Sequence, residues 1–205
     1  MHDLKLDYFD FHGGRGEVAR LVFAIGNIPF EDNRIPVADW VSFRDEAPLH
    51  AIPVLHVDGE AITQSNSINR FAGRLANLYP EDPVEALRCD EIMDAIEDVL
   101  PKVVATFSIR EEDEKKTARE KLADRVIIPY LGYLGQLLQR SGGEYFADNR
   151  LTIADLKAFV WARSLRGGVL DYIPTDIVKN AAPNIAEHCD RIAAHPGIIA
   201  WYNAH

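Results

Sequence analysis

Residues 51–65 read Ala51-Ile52-Pro53-Val54-Leu55-His56-Val57-Asp58-Gly59-Glu60-Ala61-Ile62-Thr63-Gln64-Ser65, and this stretch decides the fold. Val54, Leu55 and Val57 lead into a two-residue Asp58-Gly59 turn, the strongest short-range signal for a β-hairpin. Pro53 opens the first strand. Proline cannot donate to a ladder, so the backbone of Ile52 is left as an outward-facing edge for something extended. Past the second strand, over residues 60–63, a helix is expected at Gln64-Ser65 with Ser65 as its N-cap. Unpaired N–H groups at such a helix start favour carboxylates. Edge and helix end together suggest a corner for a short peptide carrying an anionic group; a plain hairpin beside a normally capped helix is the alternative.

Upstream, Leu4, Leu6 and Tyr8 alternate with Lys5, Asp7 and Phe9, the pattern of a strand ending near Phe9. His12-Gly13-Gly14 turns the chain. Val18, Leu21, Val22 and Ile25 then fall at helical spacing until Gly26-Asn27. Residues 29–35 read as a second strand and residues 40–46 as a short helix. Strand, helix and strand in so few residues make a βαβ unit with a right-handed crossover. With the hairpin and a helix over residues 65–78, the order βαβ-α-ββ-α is a complete small α/β domain over residues 1–78.

Downstream, Tyr79-Pro80-Glu81-Asp82-Pro83 is the linker candidate. Residues 84–205 carry no convincing strand and read as an all-helical domain. Two long segments, residues 84–109 and 116–140, contain Pro101 and Pro129, which predict kinks. Glu111-Glu112-Asp113-Glu114-Lys115-Lys116 between them reads as a charged turn. Thr152 and Asp155 form a capping box with Asp in place of the usual Glu, stapled by Leu151 and Leu156. Shorter helices follow over residues 175–181, 183–194 and 196–202.

Residues 1–80 hold 7 Lys+Arg against 11 Asp+Glu, and the rest 15 against 21, so both parts are acidic. That argues against nucleic acid as a partner. No apolar run approaches the roughly 18 residues of a membrane span, and the first residues lack an apolar signal core, which makes the expected location cytoplasmic. Cys89 and Cys189, a hundred residues apart, read as buried thiols.

Ligands of α/β domains gather at the carboxyl ends of parallel strands, where Tyr8 lies. Between Leu4 and Ala24 there is no Ser, Thr or Cys, so Tyr8 is the one hydroxyl available there to activate a nucleophile. A phenol stays protonated at neutral pH and can donate to a thiolate, lowering a thiol's pKa from about 8.5. A buried strand tyrosine with a satisfied hydroxyl is the alternative. Arg15 opens the first helix and could set a cation beside a thiolate or carboxylate. Trp40 and Arg44 share a helix face and could clamp an anionic peptide. Asp94, Glu97 and Asp98 share another, where like charges repel unless a cation or a partner subunit answers them. Each of these has an ordinary packing or solvated reading as well.

In order and spacing these elements resemble the cytosolic glutathione S-transferases over essentially the whole chain: a thioredoxin-like first domain, IPVLHVDG, QS, a linker, LTIADL and a closing HPGIIAWY. Tyr8-Phe9, EDNRI and ADW are similar to the sigma class, which includes glutathione-dependent prostaglandin D synthases. The resemblance implies a cis peptide before Pro53 and pairing of Ile52 with the cysteinyl part of glutathione. Gln64 and Ser65 would hold the γ-glutamyl carboxylate. Arg15, Trp40 and Arg44 match positions lining the glutathione site, and Tyr8 matches the catalytic tyrosine. Asp98 matches an acid that reaches the glutathione of the other subunit, implying a homodimer. Glutathione would be a co-substrate, with no cofactor or metal required and a hydrophobic electrophile taken up beside the helical domain. In sigma-class prostaglandin synthases the acids matching Asp94, Glu97 and Asp98 sit at a divalent-ion site, which makes a cation there a secondary expectation.

Gly13-Gly14 lengthens the turn by one residue against the sigma pattern, Ala51 replaces a common lysine with His50 beside it, and Val103-Val104-Ala105 replaces aromatic residues. Isomerase or peroxidase use of the same thiolate stays open, as does a non-catalytic scaffold or a carrier of hydrophobic ligands.

Overall fold

The computed structural model describes residues 2–205. They divide into two compact units, residues 2–79 with 196–205, and residues 80–195.

In the first unit, β1 (Leu4–Phe9), α1 (Gly14–Ile25), β2 (Glu31–Ile35), α2 (Trp40–Phe43), β3 (Val54–Val57), β4 (Glu60–Ile62) and α3 (Ser65–Leu75) follow the expected order. The sheet runs β2-β1-β3-β4, with β1 and β2 parallel and the other pairs antiparallel. Leu4, Leu6 and Tyr8 bury the core face. On the opposite face Asp7 is buried too, because Asn33 Nδ2 donates to it at 2.8 Å and His56 Nε2 meets it at 2.8 Å. Asp58 and Gly59 both have positive φ, 52° and 87°, as a tight two-residue hairpin turn that follows the strand twist requires.

Register places the functional residues. Asp7 pairs with Val54 and Leu55 with Ile62, so the carboxyl end of β1, the start of β3 and the end of β4 lie at one edge of the sheet. β3 begins one residue after Pro53, and Ile52 lies beyond the last paired position. The closing helix α10 (Pro196–Ala204) packs on α1 within this unit.

The second unit is helical. Asp82 caps α4 (Pro83–Ala105) by accepting from Val84 N at 2.9 Å and Glu85 N at 3.0 Å, so the linker also serves as a helix start. α4 continues through Pro101. The expected single segment at residues 116–140 is instead α5 (Glu112–Leu122), a π-helical turn (Ala123–Ile127) and α6 (Ile128–Arg140). Pro129 supplies no N–H, and the wider turn before it absorbs the break. The acidic run is not a turn between helices: Glu111 caps α5 by accepting from Glu114 N at 2.7 Å, and its other acids face the helix's positive end. α7 (Ile153–Arg166), α8 (Ile177–Ala181) and α9 (Pro183–Ala193) complete the unit, with both halves of the Thr152–Asp155 capping box formed.

Cys89 and Cys189 are free buried thiols. Burial pushes the Cys89 thiol up to about 12, against hydrogen bonds from Ala154 and Thr152. Since the thiolate is the reactive form, neither cysteine is expected to be alkylated by iodoacetamide in the native protein. Both should react in denaturant, as counted by mass. Rapid native modification of Cys89 would contradict its burial.

Candidate active site

Tyr8 projects from the end of β1 into a cluster with Ile35, Ala47, Ile52 and Val54, against which Phe9, Trp40 and Phe43 pack. The cluster thus brings Tyr8, Ile52 and Trp40, far apart in sequence, into one apolar region. The Phe9 ring meets Trp40 edge-on, with centroids 5.3 Å apart.

The α1 N-terminus explains the hydroxyl's environment. Its cap residue, Gly13, has no side chain to offer, so the first-turn N–H groups need another acceptor. Arg15 N–H donates to Tyr8 Oη at 2.8 Å. The phenol oxygen therefore acts as the cap, and its own hydrogen remains to be donated elsewhere. Burial raises the Tyr8 pKa above the ordinary tyrosine value, while the N–H groups of Arg15 and Gly16 and the charges of Arg15 and Arg20 oppose the rise. The net result is a hydroxyl that keeps its proton across the physiological range.

Two glycines make room for it. A Cβ on Gly14, at φ 65°, would lie 2.3 Å from Tyr8 Oη, and one on Gly16 would lie 2.3 Å from Tyr8 Cγ and 2.5 Å from Cδ1. Gly16→Ala is expected to push the ring off its seat, costing about 2 kcal/mol of stability and about tenfold in any activity that uses the hydroxyl. Denaturant unfolding and a rate measurement on the same preparation would check it. Unchanged values in both would show that the ring moves freely.

The peptide between Ile52 and Pro53 is cis, as the resemblance implies. Gln64, rather than Ser65, occupies the N-cap of α3, with φ 73° and no side-chain cap bond, and Ser65 is the first helical residue and buried. The register puts both at the same edge of the sheet as Ile52 and Tyr8. Trp40 is half-buried. Arg44 is exposed, with Nε 3.6 Å from Asp45 Oδ1. His50, also exposed, has Nδ1 3.2 Å from the Arg44 carbonyl oxygen.

Asp94, Glu97 and Asp98 lie on α4 in the helical unit, with Asp94 and Asp98 exposed. Glu97 accepts from Lys157 Nζ at 2.8 Å, and that lysine is buried. Lys157, on α7, is a cation that answers one of the three acids and so divides the cluster. Among the described residues no group of three or more His, Cys, Asp or Glu is arranged to hold a metal ion.

Also missed were Glu17 and Arg20, fully buried on α1, and Asp32 and Arg34 on β2. The available signal was a Glu–Arg pair at i, i+3 on a helix otherwise expected to bury only apolar residues.

A four-stranded mixed sheet with a cis proline before β3, followed by a helical unit, defines the fold class. The family model for the glutathione S-transferase C-terminal domain matches residues 97–205. Glutathione S-transferase 1 of Ascaris suum is 35% identical over 159 residues, spanning 76% of this chain and 77% of that protein. S-crystallin SL11 of Nototodarus sloanii is 26% identical over 98% of this chain and 96% of that protein. The solved structure of prostaglandin synthase D of Nilaparvata lugens superposes with a TM-score of 0.87 at 28% identity, covering 98% of this chain and 97% of that one. The chain belongs to the glutathione S-transferase family.

Proposed function

We propose that the protein is a glutathione transferase in which Tyr8 donates its hydroxyl hydrogen to the glutathione sulfur, stabilising the thiolate for attack on a hydrophobic electrophile. The observation that carries this reading is the Tyr8 hydroxyl itself, buried, accepting from Arg15 N–H, and left with its proton to give. Ile52, before cis Pro53, pairs the cysteinyl backbone; Gln64 and Ser65 hold the γ-glutamyl carboxylate; Arg15, Trp40 and Arg44 line the remaining anionic peptide. The protein works as a cytoplasmic homodimer of sigma-class type, in which the partner's Asp98 reaches the glutathione of the first subunit.

The thiolate attacks the electrophilic carbon and the leaving group departs with its electron pair. Rate comes from a lowered thiol pKa and from holding both reactants together. Glutathione is a co-substrate, and no metal enters a step. Isomerase or peroxidase use of the same thiolate is the finer alternative, in keeping with the likeness to the prostaglandin synthase of Nilaparvata lugens.

Conjugation of glutathione to chlorodinitrobenzene, together with retention on immobilised glutathione, tests the reading. Turnover and retention support it. Retention without turnover on two unrelated electrophiles would favour a scaffold reading, which the likeness to an S-crystallin makes specific.

A further inference from the structure

Next to the Tyr8 ring lies a charged network with no direct part in the proposed reaction. Arg20 of α1 is fully buried, its guanidinium carbon 5.5 Å from the centroid of the Tyr8 ring. Its Nη2 donates to the Phe9 carbonyl at 3.1 Å, Nη1 to the Phe11 carbonyl at 3.0 Å, and Nε to Asp32 Oδ1 at 2.8 Å. Glu17, one turn earlier and equally buried, faces Nη1 at 3.5 Å. The other oxygens are shared in turn: Glu17 Oε1 meets His12 Nδ1 at 3.2 Å and Trp201 Nε1 at 3.3 Å, while Asp32 Oδ2 accepts from Arg34 Nε at 2.7 Å. Arg34 Nη1 reaches Asp10 Oδ1 at 3.3 Å.

Burying a guanidinium is costly, and an apolar side chain of like volume often serves stability as well. What this arginine supplies is geometry. The carbonyls it holds are those of Phe9, the last residue of β1, and of Phe11, inside the turn to α1, and that turn fixes where α1 starts and hence where Arg15 N–H meets Tyr8 Oη. Gly13 and Gly14, at φ 134° and 65°, leave the turn conformationally free. A planar fork with several donors can hold two carbonyls and a carboxylate at once; a lysine nitrogen is a single point.

We propose that Arg20 is a positioning residue for Tyr8: it pins the β1–α1 turn, keeps the Tyr8 hydroxyl aimed at the glutathione sulfur, and adds positive charge beside the ring. This rests on the reading of Tyr8 as the thiolate's hydrogen-bond donor. The charged groups facing Arg20 are Glu17 from its own helix and Asp32 from β2, with His12, Arg34 and Asp10 behind them. Arg15 shares the field at Tyr8.

The test is a pH titration of the bound glutathione thiolate by ultraviolet absorbance in the wild type, Tyr8→Phe, Arg20→Lys and the double variant. Arg20→Lys is expected to raise the midpoint by about one pH unit, a tenfold loss of thiolate below the midpoint. Glutathione affinity should change by less than about threefold. The double variant should titrate where Tyr8→Phe alone does, because one residue acts through the other. A purely structural arginine would lower stability and leave the midpoint in place. A folded Arg20→Lys protein that titrates like the wild type, or a double variant with additive shifts, overturns the proposal while Tyr8 keeps its role. A Tyr8→Phe protein that titrates like the wild type overturns the reading beneath it. If Arg20→Lys does not fold, Asp32→Asn removes the carboxylate that anchors Nε, and the same outcomes decide.

Discussion

Tyr8→Phe is expected to lower kcat/KM for conjugation of glutathione to chlorodinitrobenzene by about 100-fold near neutral pH, with recovery toward alkaline pH. The magnitude is that of removing one preorganised donor from a developing or resident anion, commonly 10²–10³-fold, at the lower end of which the figure lies. The pH dependence follows from where the proton sits. Burial raises the Tyr8 pKa, so the wild-type hydroxyl remains a donor throughout the range where a thiol titrates. With the hydroxyl gone, the bound thiol returns toward its free value of about 8.5, and less of it is ionised at neutral pH. Above that value the thiol ionises unaided, and the two proteins converge. The variant also strips α1 of its cap acceptor, since Arg15 N–H loses its partner. That cost is separable, because it lowers stability at every pH. Equal rates of variant and wild type across pH would remove Tyr8 from the mechanism and direct attention to Arg15.

The largest effect on stability is expected at Asp155. Its carboxylate is fully buried and accepts from Thr152 N and Thr152 Oγ1 at 2.8 Å each and from Phe146 N at 3.0 Å, while His188 Nε2 lies 2.9 Å away. Asp155→Ala leaves these groups buried around an empty acceptor. Removing one partner of a buried charged network costs about 3–5 kcal/mol, much of the 5–15 kcal/mol by which a typical domain is stable. The variant should therefore unfold at far lower denaturant concentration, with an unchanged slope, if it accumulates at all. Asp155→Asn keeps the volume and one acceptor oxygen, and should lose less. A denaturation midpoint for Asp155→Ala within error of the wild type would mean the network contributes nothing net.

Much of the first unit could be read in the sequence because local signals and tertiary demands agree there. Asp58-Gly59 sets the hairpin turn, alternation at Leu4, Leu6 and Tyr8 marks the core face, and Gly26 ends α1 where its N–H bonds the Val22 carbonyl at 2.9 Å. Boundaries drifted where the deciding contact is not local. Ser65 looked like the cap, yet the chain turns one residue earlier, at Gln64 with positive φ. Pro129 by itself predicts a kink within one helix, whereas a π-helical turn precedes it. The candidate site was legible as separate pieces, Tyr8, Ile52 and Gln64, whose shared edge follows only from strand register. The buried charges were not legible. Arg20, Lys157 and Arg119 look like ordinary surface cations until Asp32, Glu97 and Asp171 are brought to them from other elements. A sequence shows the charge but not the partner that permits its burial.

Whether Tyr8 stabilises the thiolate is decided by the pH at which glutathione held by the wild-type protein loses its thiol proton, followed by ultraviolet absorbance of the thiolate. The expected midpoint lies at least one unit below the free value of about 8.5 and returns close to that value in Tyr8→Phe. A wild-type midpoint at the free value, or the same lowered midpoint in both proteins, would contradict it.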